Sequence, residues 1–212
     1  MPPRIAWPRR GLYLLTPDET DTVRLLARTR PLLDAGVAML QYRNKLADNA
    51  LRREQAAALA EACRASRTPL IINDDWRLAL EVDADGAHLG EQDGGLAEAR
   101  QALGPQRILG ASCYDQSELA VRAANAGVDY IAFGAFFASG TKPLARRATP
   151  SLLRDAARLG LPRVAIGGIT PDNAPSLIAA GADLVAAIVA VYDAHDPVAT
   201  VRAFRQCFEP NA

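Results

Sequence analysis

The sequence predicts an α/β fold, a (β/α)8 barrel in a single domain, and three observations carry that expectation. The first is a joint that recurs along the chain: an alanine-rich helical stretch, a small residue with Gly or Asp, then a short apolar run. It appears at Ala35-Gly36-Val37, Val82-Asp83-Ala84-Asp85-Gly86, Ala126-Gly127-Val128-Asp129 and Ala180-Gly181-Ala182-Asp183. Glycine there ends a helix in the left-handed conformation, and repeated short helix-to-strand joints imply right-handed crossovers on a parallel sheet. The second is the number of such units. Eight alternate over 212 residues, which suits a compact barrel near the lower end of that fold's size range. The third concerns an open doubly wound sheet, the alternative architecture. It would be expected to carry Gly-x-Gly-x-x-Gly after its first strand, and none is present.

In chain order the predicted strands are 12–16, 37–41, 70–73, 86–89, 108–112, 130–134, 164–167 and 184–188. Each is short, rich in aliphatic residues and bounded by turn formers, as strands buried on both faces should be. Predicted helices separate them at 22–34, 50–65, 75–81, 96–103, 116–126, 150–159, 171–180 and 197–208. Pro150, Pro171 and Pro197 suit the first helical turn, with Thr149, Thr170 and Asp196 as caps. Residues 1–10 read as an N-terminal extension and 11–212 as the barrel. No linker or low-complexity segment interrupts it.

Composition bounds the partners. Lys and Arg together number 24 and balance 24 Asp and Glu, so neither nucleic acid nor an anionic membrane is an expected partner. Any phosphate affinity must come from a local site. Cys63, Cys113 and Cys207 are an odd number at wide spacing without a metal-ligand pattern, as reduced intracellular thiols are. The start is basic but broken by proline and lacks an apolar signal core, and no apolar run is long enough to cross a bilayer. The expected location is the cytoplasm. A homo-oligomer is compatible with the sequence.

In a barrel of this kind chemistry sits where strands end. The most telling end is Gln41-Tyr42-Arg43-Asn44-Lys45, where a buried apolar run gives way to an amide and two cations. If the strand stays extended, Gln41, Arg43 and Lys45 share one face and could clamp a polyphosphate. Of the basic residues only Lys45 and Lys142 are lysine, and both follow a predicted strand. The other ends supply Asn73-Asp74-Asp75, Glu91-Gln92-Asp93, Ser112, Ser139-Gly140-Thr141-Lys142, Gly167-Gly168 and Ile188-Val189. Arg43, Lys45, Lys142, Asn73 and Ser112 beside Asp74 and Asp93 read either as an ion-pair network or as the mixture a Mg²⁺–pyrophosphate complex needs. The metal would take one or two carboxylates, with phosphate oxygens and waters completing its shell. Gly167-Gly168 reads either as a tight turn or as a backbone cradle for a second phosphate, with Ser139, Gly140 and Thr141 able to add hydroxyls and amides. His88 reads as a core histidine as readily as a catalytic one, Cys113 has no assignable base, and His195 has no role.

These stretches occur in one order with Ile71-Ile72-Asn73-Asp74, Asp85-Gly86-Ala87-His88-Leu89-Gly90, Gly110-Ala111-Ser112, Asp129-Tyr130-Ile131-Ala132-Phe133-Gly134, Thr141-Lys142 and Ala165-Ile166-Gly167-Gly168-Ile169. The set resembles the thiamine-phosphate synthase (thiamine-phosphate pyrophosphorylase) family from Gly11 onward. The resemblance implies a transferase on a TIM barrel that joins 4-amino-5-hydroxymethyl-2-methylpyrimidine diphosphate to 4-methyl-5-hydroxyethylthiazole phosphate, releasing pyrophosphate. It implies that Gln41, Arg43, Lys45, Asn73, Ser112 and Lys142 hold the pyrimidine diphosphate, and that Arg43, Lys45, Ser112 and Lys142 carry the catalytic work. It implies Mg²⁺ on Asp74 and Asp93. It implies the thiazole phosphate on Ser139, Gly140, Thr141, Gly168 and the Ile188-Val189 turn.

Three departures from the family pattern stand out. Ala138-Ser139 replaces the usual Pro-Thr, Ile188-Val189 the usual Ile-Ser, and Glu91-Gln92-Asp93 the usual Gln-Glu-Asp. Val189 removes a hydroxyl, so contact there would fall to backbone, and Glu91 becomes a rival metal ligand. Two alternatives remain beside the leading expectation. A related thiazole tautomerase would carry its acid–base histidine two residues after Ser112, where Tyr114 stands. A non-catalytic paralogue that binds a phosphorylated ligand is the other.

Overall fold

The computed structural model describes residues 7–138 and 147–209. Eight parallel strands pair in sequence order and close on themselves: β1 (Gly11–Leu15), β2 (Met39–Tyr42), β3 (Leu70–Asn73), β4 (Gly86–Leu89), β5 (Ile108–Tyr114), β6 (Tyr130–Gly134), β7 (Arg163–Ile166) and β8 (Leu184–Ala187). Closure is made where β1 pairs with β8, Gly11 opposite Leu184. The predicted barrel is therefore the observed one.

Between the strands lie α1 (Thr22–Asp34), α2 (Asn49–Ser66), α3 (Trp76–Glu81), α4 (Leu96–Leu103), α5 (Ser117–Asn125), α6 (Pro150–Asp155) and α7 (Ala174–Ala179). After β8 come a one-turn α8 (Val189–Tyr192) and α9 (Pro197–Gln206). Four predictions need correction. The sixth helix passes into a 3₁₀ turn at Ala156–Leu159 instead of running on as α. The seventh starts at Ala174, not Pro171, because Asn173 Oδ1 accepts the Thr170 N–H and holds 170–173 as a turn. Thr170 is thus no cap. Thr149 occupies the cap position of α6, but its hydroxyl bonds the Ser151 hydroxyl instead of a helix amide. Asp196 does cap α9, accepting from Ala199 N–H, and Asp21, Asp48 and Asp75 do the same for α1, α2 and α3.

The recurrent joints have a physical basis. Gly36, Gly127 and Gly181 take φ of 97°, 78° and 105°, which turns the chain from helix to strand. The aspartates that open β4, β6 and β8 then tie each strand to its neighbour. Asp85 accepts the Leu70 N–H at 2.9 Å, Asp129 the Leu109 N–H at 2.7 Å and Asp183 the Arg163 N–H at 2.9 Å. A carboxylate thus satisfies a backbone donor at the start of three strand pairs, β3–β4, β5–β6 and β7–β8.

Strand alternation divides the core in two. Leu12, Leu14, Leu40, Ile72, Leu109 and Phe133 face outward and pack under the helices. Tyr13, Met39, Ile71, Ile108, Tyr130 and Val164 fill the barrel interior, with Trp7 packed against them from ahead of β1. Toward the strand C-termini that interior turns polar, for Gln41 and His88 are both buried there. On β5 the pairing with β6 shifts between Ser112 and Tyr114, a bulge that turns the Tyr114 ring out to solvent.

Candidate active site

The C-terminal mouth gathers most of the predicted residues. A cleft of about 320 Å³ is lined by Tyr42, Arg43, Asn44, Lys45, Ala47, Arg52, Asn73 and Asp74. Arg43, Lys45, Asn73 and Asp74 are therefore neighbours, as the strand-end reading required.

Gln41 is the exception among them. It is only 3% exposed and sits inside the barrel, with its amide nitrogen donating to the Tyr13 hydroxyl at 2.7 Å. Strand alternation places it there, on the inward face of Met39, while β2 ends at Tyr42 and Lys45 lies in a bend beyond it. The expected three-residue clamp is thus a two-cation cleft with an amide beneath the mouth.

Two further residues hold Arg43 and Lys45 in place, and the sequence analysis did not single them out. Thr16 Oγ1 donates to the Arg43 carbonyl at 2.8 Å and accepts the Arg43 N–H at 2.9 Å. Asp18 accepts the Lys45 N–H at 2.7 Å and pairs with the Arg43 guanidinium at 3.2 Å. The available signal was position, since Thr16 and Asp18 directly follow β1. Arg52, from α2, adds another cation to the cleft while paired with Asp75 at 3.4 Å. Replacing Asp18 by Ala is expected to lower turnover roughly tenfold by freeing Arg43, while changing stability by only about 1 kcal/mol, the scale of a partly exposed pair. Steady-state kinetics beside thermal melts check this.

Asp74 adopts φ of 63°, a left-handed backbone that Asp tolerates better than most residues, and its N–H donates to the His88 carbonyl at 2.8 Å. Its carboxyl meets that of Asp93. Burial, then the hydrogen bond and charge of Asp93, push it up to about 6, while Lys45 and a hydrogen bond from Asn73 pull it down. Asp93 Oδ2 also accepts the Gly90 N–H at 2.7 Å. Two like-charged carboxylates in contact are relieved by a shared proton or a cation. Paired hard oxygen donors beside a cleft open to phosphate suit Mg²⁺. Among the described residues no cluster of three or more His, Cys, Asp or Glu offers an all-protein cage.

Two nearby carboxylates are engaged with other partners. Glu91 reaches Arg122 at 3.6 Å, and Asp75 caps α3 and pairs with Arg52. The Tyr114 hydroxyl borders Gly90 next to Asp93, where the tautomerase reading would want a histidine.

Ser112 ends its hydrogen-bonding run against His88, with Oγ 2.8 Å from Nε2. Gly168 has φ of 61°, and a Cβ there would lie 2.4 Å from the Ala138 carbonyl. The turn after β7 packs under residues 135–138, with the Phe137 N–H donating to the Gly167 carbonyl at 3.0 Å. Ile188 opens α8, a helix absent from the sequence prediction, and Val189 is 54% exposed beside it. Ser139, Gly140, Thr141 and Lys142 lie outside the described residues. Cys63 and Cys113 are buried, and burial pushes both thiols up to about 12, so they are inert packing groups.

Fold and site together define an enzyme of the (β/α)8-barrel class, with cations and paired carboxylates at the C-terminal mouth. The family model described as thiamine monophosphate synthase matches residues 12–191. A thiamine-phosphate synthase of Xanthomonas campestris pv. campestris (strain 8004) is 60% identical over 199 residues, 94% of this chain and 96% of its own. One from Methylobacillus flagellatus is 55% identical over 201 residues, covering 95% and 96%. The structure of thiamine phosphate pyrophosphorylase from Pyrococcus furiosus superposes with a TM-score of 0.83 at 31% identity, covering 95% of this chain and 96% of that one. The chain belongs to the thiamine monophosphate synthase family and is a transferase of thiamine biosynthesis. Among the described residues no helix is long and apolar enough to cross a membrane.

Proposed function

We propose that the reaction joins 4-amino-5-hydroxymethyl-2-methylpyrimidine diphosphate to 4-methyl-5-hydroxyethylthiazole phosphate, with Asp74 and Asp93 holding Mg²⁺. The observation that carries this reading is the single cleft in which Arg43, Lys45 and Asn73 meet Asp74. Cations alone would suit any anion. Cations beside a carboxylate pair suit an anion that arrives with a divalent metal.

The chemistry asks little of general acids or bases. The bond from the pyrimidine methylene to the diphosphate oxygen breaks, its electron pair leaving with pyrophosphate. The thiazole nitrogen lone pair then forms the new C–N bond to the methylene cation. No proton transfer is needed. Arg43 and Lys45 neutralise charge growing on the leaving oxygens, and they need no reorganisation because Thr16 and Asp18 already fix their backbone. Bound Mg²⁺ supplies Lewis-acid stabilisation of the same leaving group. Gln41 and Ser112 border the barrel interior, where an aminopyrimidine ring could be oriented. In this reading the protein acts in the cytoplasm.

Purified protein given both substrates and Mg²⁺ is expected to form thiamine phosphate and pyrophosphate in equal amounts. Excess chelator should stop the reaction and added Mg²⁺ restore it. Absence of product with metal present would favour a phosphate-binding paralogue.

A further inference from the structure

A line of buried hydrogen bonds crosses the barrel interior and ends at two residues assigned to substrate. It runs from Gln41 on β2 to Tyr13 on β1 (2.7 Å), Tyr130 on β6 (2.8 Å), His88 on β4 (2.9 Å to Nδ1) and Ser112 on β5 (2.8 Å from Nε2). Five side chains from five strands make four bonds, and Tyr13, Tyr130 and His88 between the ends are all buried.

We infer that Tyr13, Tyr130 and His88 are positioning residues that fix the direction of the Ser112 hydroxyl proton and couple it to Gln41. Each tyrosine has one O–H and a neutral imidazole one N–H, so when every buried hydroxyl proton is used within the line, the direction at one end sets every bond. The Gln41 amide nitrogen can only donate, so the Tyr13 oxygen accepts and its proton goes to Tyr130. Tyr130 then donates to His88 Nδ1, which leaves the imidazole proton on Nε2 facing Ser112. Ser112 oxygen accepts that proton, so its own O–H is released toward the mouth as a donor.

Ionisation would break this order, and the surroundings oppose it. Burial raises both tyrosines well above their ordinary range, so their hydroxyls keep their protons, and the His88 ring is buried between them and Ser112. The ring planes of His88 and Tyr130 also stack, 5.5 Å between centroids, which holds the plane of the imidazole, while its two hydrogen bonds occupy both ring nitrogens. The purpose of such a line is preorganisation. A serine hydroxyl free to rotate would lose part of its donor strength to wrong orientations, whereas this one is aimed before substrate arrives. Resting on the reading that Ser112 holds the pyrimidine diphosphate, the Ser112 hydroxyl would donate to an acceptor atom of that substrate.

Two measurements test the inference. The chain has two histidines, His88 and His195, so ¹⁵N-histidine NMR of the unliganded protein resolves the buried ring directly. The expected spectrum for His88 has a protonated Nε2 and a bare Nδ1. A protonated Nδ1 means the line runs the other way and overturns the proposal. The second measurement is a double-mutant cycle on turnover. Tyr130→Phe, which removes one hydroxyl, is expected to lower kcat about tenfold or more through loss of the aimed donor. In a Ser112→Ala background the same change should cost nothing further, because its effect passes through Ser112. Equal losses in both backgrounds would mean Tyr130 is only structural and would overturn the coupling. Failure of the wild type to make product would overturn the functional reading instead, while the imidazole tautomer would still decide the direction of the line.

Discussion

Asp74→Asn is expected to abolish measurable turnover, a loss of about a thousandfold or more, while the protein stays folded. Asn tolerates the left-handed backbone at this position, where φ is 63°, so the loop geometry survives the change. What disappears is one of two carboxylates in contact with each other. In the absence of a cation that contact costs free energy, so the melting temperature should hold or rise. Activity and stability moving in opposite directions is the signature of a group kept for chemistry. Calorimetric titration with Mg²⁺ and pyrophosphate together should show weakened binding in the variant. Wild-type turnover in Asp74→Asn would reduce the carboxylate pair to a structural feature and remove the basis for assigning Mg²⁺.

Arg43→Met should lower kcat by about a hundred- to a thousandfold, the scale seen when one preorganised transition-state donor is removed. Methionine keeps much of the apolar stem and deletes only the guanidinium, which is partly buried against Asp18. Arg43→Lys should recover only part of the loss, since an ammonium cannot make the paired contacts of a guanidinium fork. Rates of pyrophosphate release at saturating substrates decide between the outcomes. If the Met variant turns over normally, the Arg43–Asp18 pair is a loop staple and the leaving group is stabilised by other cations.

The barrel itself was legible because its signals are local. A glycine or aspartate joint marks four of the helix-to-strand turns, and strand ends follow within a few residues. Arg43, Lys45, Asn73 and Asp74 could thus be assigned to one face before any contact was known. Helix ends near Thr149 and Thr170 were less legible, for a side-chain oxygen can cap a helix or bond a neighbour, as Thr149 does with Ser151. Asp18 was not recognised, because nothing in its immediate neighbours shows that Lys45, 27 residues on, will turn back to its carboxylate.

The sequence by itself determined the architecture, the set of polar strand ends and the family, since periodicity and strand-end position survive without knowledge of packing. Tertiary structure alone decided which polar groups meet. Tyr13 and Tyr130 are 117 residues apart and bond only because the sheet closes on itself. Strand alternation carries Gln41 inward on the face of Met39, and the pairing of β4 with β5 brings His88 against Ser112. A hydrogen-bond partner inside a barrel is chosen by the ring of strands as a whole, and no single stretch of chain carries that information.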